Sequence, residues 1–323
     1  MSQNITSRTT IPAEVDAVYN RTGLLRVTND FKYTKWAQVR DIAANAGTTT
    51  IKFYRYGNLT AATTPLVEGV TPTGKQLSRT TITGTVQQYG DFVTLTDRLQ
   101  YETQDPILTE TADILGDQMT DTFDQITRDV LVAGTSVFYA NGVVGRSSVA
   151  ANVSATDYKK IERALRKNNA KKITRMITAT DGVGTTPIKA AFIALISPDT
   201  YFDLQSLSAF KPVESYASTQ TLVDENEVGS MGHIRFVETT NAKVFTAAGS
   251  GSVDVHADVI LAQNAYGITR ISGKSTSIIT KPLGSAGTAD PLEQRATMGW
   301  KSYFLAMILN QNFIYRYEHA VSA

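Results

Sequence analysis

Between Asp105 and Gly134 apolar side chains recur every three to four residues: Ile107, Leu108, Ile114, Leu115, Met119, Phe123, Ile126, Val130 and Leu131. That spacing draws one apolar stripe along a helix of about 28 residues, roughly 42 Å long. Asp105 is placed to cap it, Pro106 fits a first turn where a missing N–H costs nothing, and Gly134 ends it. Such a helix is well beyond the usual globular length.

Two strand-like runs precede the helix, Thr48 to Tyr56 and Arg79 to Thr96, both rich in Thr, Val, Ile and Tyr. Of the 22 residues between them, Gly57 to Ser78, ten are Gly, Pro or Thr, which is loop composition. A loop this long is uncommon inside a compact domain unless it has a task. A Thr- and Gln-rich two-stranded ribbon is marginal alone in water, so a neighbouring subunit is expected to support it. Residues 1–47 carry no compact apolar pattern and read as an arm laid over another surface.

Beyond the long helix, Thr156 to Asn168 predicts a second helix with Tyr158, Ile161 and Leu165 on one face. Residues 187–284 predict an α/β region: a buried strand at Ala190–Ile196, a short helix opened by Ser197-Pro198-Asp199, and strands at Ile234–Glu238 and Val253–Ala262. Thr297–Leu309 and Phe313–Glu318 predict a closing β-hairpin turning near Asn310-Gln311-Asn312, with a helix from Met298 to Leu309 as the alternative.

Composition narrows the function. With 31 basic and 30 acidic residues the formal net charge is +1, without the basic excess of a protein that grips nucleic acid through its phosphates. The absence of cysteine excludes disulfides, thiolate metal sites and cysteine nucleophiles. No signal-peptide pattern or bilayer-spanning apolar run is visible, so a cytosol-like compartment is expected and no membrane partner.

Motifs for chemistry are weak. Gly273-Lys274-Ser275-Thr276 would end a P-loop only with a glycine at position 268, which is Ile268. A turn between strands is the better reading. Asp254, His256 and Asp258 alternate along one strand and could bind a metal, but a solvated strand face explains them more simply. Asp224-Glu225-Asn226-Glu227 lacks EF-hand spacing and reads as an exposed loop. His233, His256 and His319 are the only histidines, and none sits in a nucleophile-elbow or HExxH context. No catalytic residue, cofactor site or metal site is expected.

Charge placement says more. Asp91 to Asp129 holds ten acidic residues against Arg98 and Arg128, while Asp157 to Arg175 holds eight basic residues against Asp157 and Glu162. Either these are two solvated faces, or Asp113, Asp117, Asp121 and Asp124 meet Lys159, Lys160, Arg163 and Lys167 within or between subunits.

Several stretches resemble one family. Leu66-Val67-Glu68-Gly69-Val70-Thr71-Pro72-Thr73-Gly74, Gln88-Tyr89-Gly90-Asp91-Phe92-Val93, and Asp97 with Asp105-Pro106-Ile107-Leu108 resemble the loop and helix start of podophage-type major capsid proteins. Glu227-Val228-Gly229 with His233-Ile234-Arg235-Phe236-Val237-Glu238-Thr239 is similar to that family's central segment. Asp290-Pro291-Leu292-Glu293-Gln294-Arg295 and Gly299-Trp300-Lys301 are similar to its ending. The resemblance implies an α+β chain with the Hong Kong-type phage capsid fold. Its parts would be an N-terminal arm (1–47), an extended hairpin loop (48–97), a peripheral domain with the spine helix (98–186 and 285–323) and an axial α/β domain (187–284).

It further implies a homo-oligomer of pentamers and hexamers closed into an icosahedral shell around double-stranded DNA, held without sequence-specific binding. Scaffolding, portal and decoration proteins are the other expected partners, and assembly is expected in the host cytoplasm. Leu66 and Glu68 in the loop, with the charged residues above, are the candidate intersubunit contacts. An encapsulin-like compartment and a tail-tube subunit are the alternatives.

Overall fold

The computed structural model describes residues 31–43, 47–97, 107–174, 189–216, 222–272, 276–285 and 290–322. Most of the expected arm, the Asp105-Pro106 cap and the Gly273–Ser275 turn lie outside them. In chain order the strands and helices are β1 (Gln38–Val39), β2 (Thr50–Tyr56), β3 (Arg79–Thr85), β4 (Gln87–Thr96), α1 (Ile107–Val132), β5 (Val137–Tyr139) and α2 (Ala155–Lys167). There follow β6 (Phe192–Ile196), α3 (Pro198–Gln205), β7 (Lys211–Pro212), β8 (Glu227–Met231), β9 (Ile234–Glu238), β10 (Lys243–Phe245) and β11 (Val255–Leu261). The last four are β12 (Tyr266–Thr269), β13 (Thr276–Lys281), β14 (Arg295–Ile308) and β15 (Ile314–His319).

An eight-stranded sheet runs β5-β15-β11-β6-β9-β8-β7, with β10 added to β11. Its centre reads Phe-Ile-Ala-Leu-Ile in β6, every side chain buried, because both faces are covered. Phe192, Ala194 and Ile196 face Tyr158, Ile161 and Leu165 of α2 and Leu204 of α3. Ile193 and Leu195, pointing the other way, meet Leu131 and Val132 at the end of α1, with Tyr33 and Tyr266. Ser197 caps α3 by accepting from the Thr200 N–H, and Ser154 caps α2 by accepting from Thr156.

The second sheet joins β1, β12, β14 and β13, with β4 along ten residues of β14. Its inner face receives the stripe of α1. Phe123 stacks on Phe304 at 4.5 Å between ring centres and meets Trp300 edge-on at 5.8 Å, with Leu115, Met298 and Ala306 around them. The long helix is thus covered by the 14-residue β14.

Four sequence readings are corrected. β14 and β15 are strands, not a helix, but they form no hairpin: β14 pairs with β4, β12 and β13, while β15 pairs with β11 and β5. The turn at Asn310–Phe313 carries the chain from one sheet to the other. The run Arg79–Thr96 divides at Val86, with β3 pairing β2 and β4 crossing to β14. Within 187–284, β12 and β13 belong to the sheet that carries α1, while α2 and β15 from outside that range pack into the eight-stranded sheet. Asp224 and Glu227, read as an exposed loop, are buried. Asp224 pairs with Lys32 at 2.9 Å and with Lys35, while Glu227 pairs with Arg235 at 3.1 Å.

Asp224 thereby fastens the described end of the arm to the body. Asp124 of α1 holds the same segment by accepting from the Tyr33 and Thr34 N–H groups at 2.8 and 3.2 Å. The Tyr266 hydroxyl donates to the Tyr33 carbonyl.

Candidate assembly surface

A finger projects from this body. Among the described residues β2 and β3 pair only with each other, from Thr50↔Thr85 to Tyr56↔Arg79, and Gly57 to Ser78 continues beyond them with every side chain exposed. The loop has its own fixed points. The Gly57 N–H donates to the Ser78 carbonyl at 2.9 Å. Further out, the Lys75 ammonium joins the limbs through the Thr60 hydroxyl at 2.7 Å and the Ala61 carbonyl at 3.2 Å. At the tip the Val70 N–H donates to the Val67 carbonyl around Gly69, whose φ of +77° is the left-handed value that a tight turn asks of glycine.

That turn puts Glu68 at the apex between exposed Leu66, Val67 and Val70, the first of them 78% exposed. Single exposed apolar residues are ordinary, but here several share one projecting loop. Leu66 and Glu68, the candidate contacts of this loop, are both exposed at its tip.

A second exposed apolar feature is the outer face of the α1-bearing sheet. Phe92 of β4 and Ile279 of β13 flank Gly299 of β14 in register. A side chain at Gly299 would come within 2.6 Å of the Phe92 Cβ and 2.7 Å of the Asp91 carbonyl, so only glycine keeps this groove floor open. The Asp91 carboxylate is held below its ordinary range by the Gln118 amide and the Phe92 N–H.

The acidic and basic helices are separated. α1 ends on one face of the eight-stranded sheet and α2 covers the other. Lys159, Lys160, Arg163 and Lys167 are exposed, and among the described residues the ion pair they make is Lys160 with Asp157 of the same helix at 2.8 Å. Asp113 is exposed, and Asp117 and Asp121 are half-buried. Asp124 corrects the surface reading: it is fully buried, bonded to the arm and to Asn241, and burial raises its pKa against those hydrogen bonds.

The histidine strand is also not a solvated face. His256 and Asp258 are buried, and only Asp254 is exposed. Asp258 accepts from the Tyr158 hydroxyl, from Thr200 at 3.4 Å and from His319 Nε2 at 3.1 Å. His319 Nδ1 lies 2.8 Å from the Ala320 carbonyl. Each ring nitrogen of His319 therefore faces an acceptor, the arrangement of an imidazolium. Burial pulls its pKa down, but the Asp258 carboxylate and the Ala320 carbonyl outweigh burial and raise it. His256, 3.0 Å from the Ser197 hydroxyl, is held down by burial and by His319. The network is sealed and structural in geometry. Among the described residues no cluster of His, Asp and Glu is placed to hold a metal, and no helix is long and apolar enough to cross a membrane.

A sequence model of the family described as phage capsid protein matches residues 78–317. The chain belongs to that family. This phage capsid protein has no match among curated proteins. It is similar to the capsid of Ralstonia phage GP4, with a TM-score of 0.72 at 10% identity over 100% of this chain and 99% of that one. It is also similar to the capsid of cyanophage P-SCSP1u, at 0.66 and 14% over 99% and 100%, and to that of cyanophage Pam1, at 0.66 and 14% over the whole of both. The mixed α/β fold is thus a phage capsid fold, and the protein is a structural major capsid protein of the virion. The encapsulin-like and tail-tube alternatives are not favoured.

Proposed function

We propose that this capsid protein forms pentamers and hexamers that close into an icosahedral shell around double-stranded DNA, with the β2–β3 finger reaching from each subunit onto a neighbour. The finger carries this reading, since its own subunit packs against its root, where Leu305 and Met307 lie against Gly84, while its outer loop exposes a row of apolar side chains. The eight-stranded sheet with α2 and α3 serves as the axial part, and the sheet carrying α1 as the peripheral part. Shell building asks for no catalysis, and the buried histidine network has a structural role. Scaffolding, portal and decoration proteins are the proposed further partners, and the host cytoplasm the proposed place of assembly.

The acidic face of α1 at Asp113, Asp117 and Asp121 is proposed to meet Lys159, Lys160, Arg163 and Lys167 of another copy, because the sheet between them keeps them apart within one. Limited proteolysis tests the finger directly. Cleavage between Gly57 and Ser78 is expected in unassembled protein and protection in shells; equal cleavage in both states refutes the assignment.

A further inference from the structure

At the root of the finger, between β2 and the turn that follows β14, lies a half-enclosed cavity of about 460 Å³. Phe53, Ile82, Leu309 and Phe313 make its walls, and Arg40 and Arg55 stand at its edge. Among the described residues no acidic side chain lines it, and neither guanidinium meets a carboxylate; Arg40 instead lies over the Phe53 ring at 6.0 Å. Apolar walls with two such guanidinium groups suit an apolar segment that carries one carboxylate.

The chain presents one segment of that chemistry at a fixed turn. Glu68 is an exposed carboxylate flanked by exposed Leu66, Val67 and Val70. It cannot be satisfied in its own cavity here, because the whole loop from Gly57 to Ser78 is exposed. We infer that the cavity at the finger root receives the Leu66–Val70 tip of a second copy, with Glu68 between Arg40 and Arg55 and the apolar side chains against Phe53, Ile82 and Phe313.

The inference rests on the shell reading and adds the receiving site. The grooves along α2 are walled almost wholly by charged side chains, which leave Leu66 and Val67 unmatched. The groove over Gly299 also joins apolar side chains, Phe92 and Ile279, to two cations, Lys281 and Lys301, but it is more open, and crosslinking separates the two receivers. A tip-to-root contact joins different patches on the two copies, so each subunit both gives and receives, as a ring requires.

The absence of cysteine makes the contact testable by crosslinking in assembled full-length protein. Leu66→Cys is combined with Gln38→Cys, at the cavity, or with Thr297→Cys, in the groove over Gly299. Oxidised particles of the first pair are expected to run as a ladder of linked subunits, and those of the second as monomers. A ladder from the second pair, or from neither pair in well-formed particles, overturns the docking and leaves the shell reading intact. Failure of the unaltered chain to form particles contradicts both. Glu68→Arg and the Arg40→Glu/Arg55→Glu pair are each expected to cut particle yield at least tenfold, and their combination to restore it. Full yield from either alone refutes the inference.

Discussion

Removing the His319 imidazole probes the sealed network at its most sensitive point. His319→Ala leaves Asp258 buried without its cation, although Tyr158 and Thr200 still donate to it. Breaking a buried pair by deleting one partner costs about 3–5 kcal/mol, mostly because the other charge stays buried. Replacing Asp258 by Asn in the His319→Ala background is therefore expected to recover part of the loss. The pH dependence has a definite sign. His319 has a raised pKa in the folded chain, so the stability it contributes is complete below its unfolded value of about 6.5 and is lost as pH rises through the folded value. One proton limits that loss to about 1.4 kcal/mol per pH unit. Urea unfolding of the unassembled chain, followed by far-ultraviolet circular dichroism between pH 6 and 9, measures both effects. The parent should weaken across this range, His319→Ala should be weaker at pH 6 with a flatter profile, and His256→Gln should keep the alkaline slope. A flat parent profile, or an alanine variant within about 0.5 kcal/mol of the parent at pH 6, refutes the reasoning.

Phe123→Ala, which empties the aromatic contact between α1 and β14, is expected to cost about 3–5 kcal/mol in the same unfolding assay. Asp224→Ala deprives Lys32 and Lys35 of their carboxylate, and hydrogen exchange should then show faster loss of the Tyr33 and Thr34 amide protons. Lys159→Glu/Arg163→Glu is expected to leave the melting temperature of unassembled protein nearly unchanged, since both side chains are exposed and neither is the cation paired with buried Asp157, yet to lower shell yield, most of all at low salt, where the new like-charge contacts are least screened. Normal yield at every salt concentration would leave α2 as a solvated face.

Elements specified by neighbouring residues were legible in the sequence. The stripe from Ile107 to Leu131 appears as α1, Tyr158, Ile161 and Leu165 lie on the buried face of α2, and Ile234–Glu238 is β9 residue for residue. Pairing was not legible, because β14 and β15 take partners as near as β13 and β11 and as distant as β4 and β5, and nothing local in either run chooses among them. The same distance hid the polar network. Asp254, His256 and Asp258 carry the alternation of a wet strand face, and the partners that satisfy the two buried ones, Tyr158, Thr200 and His319 for Asp258 and Ser197 for His256, are remote in sequence. Asp224 was misread for a like reason, its lysines lying in the weakly patterned arm. Leu66 and Glu68 lie in the run Gly57–Ser78, whose loop composition was legible and which is exposed throughout. The cavity bearing Arg40 and Arg55 gave no sequence signal, since its walls come from five separate stretches of chain.

Electron microscopy of particles formed by the purified chain with a scaffold present tests the central claim most directly. The account predicts closed icosahedral shells whose subunits each lay a β2–β3 finger on a neighbour. Open tubes, or a chain that stays monomeric under those conditions, would contradict it.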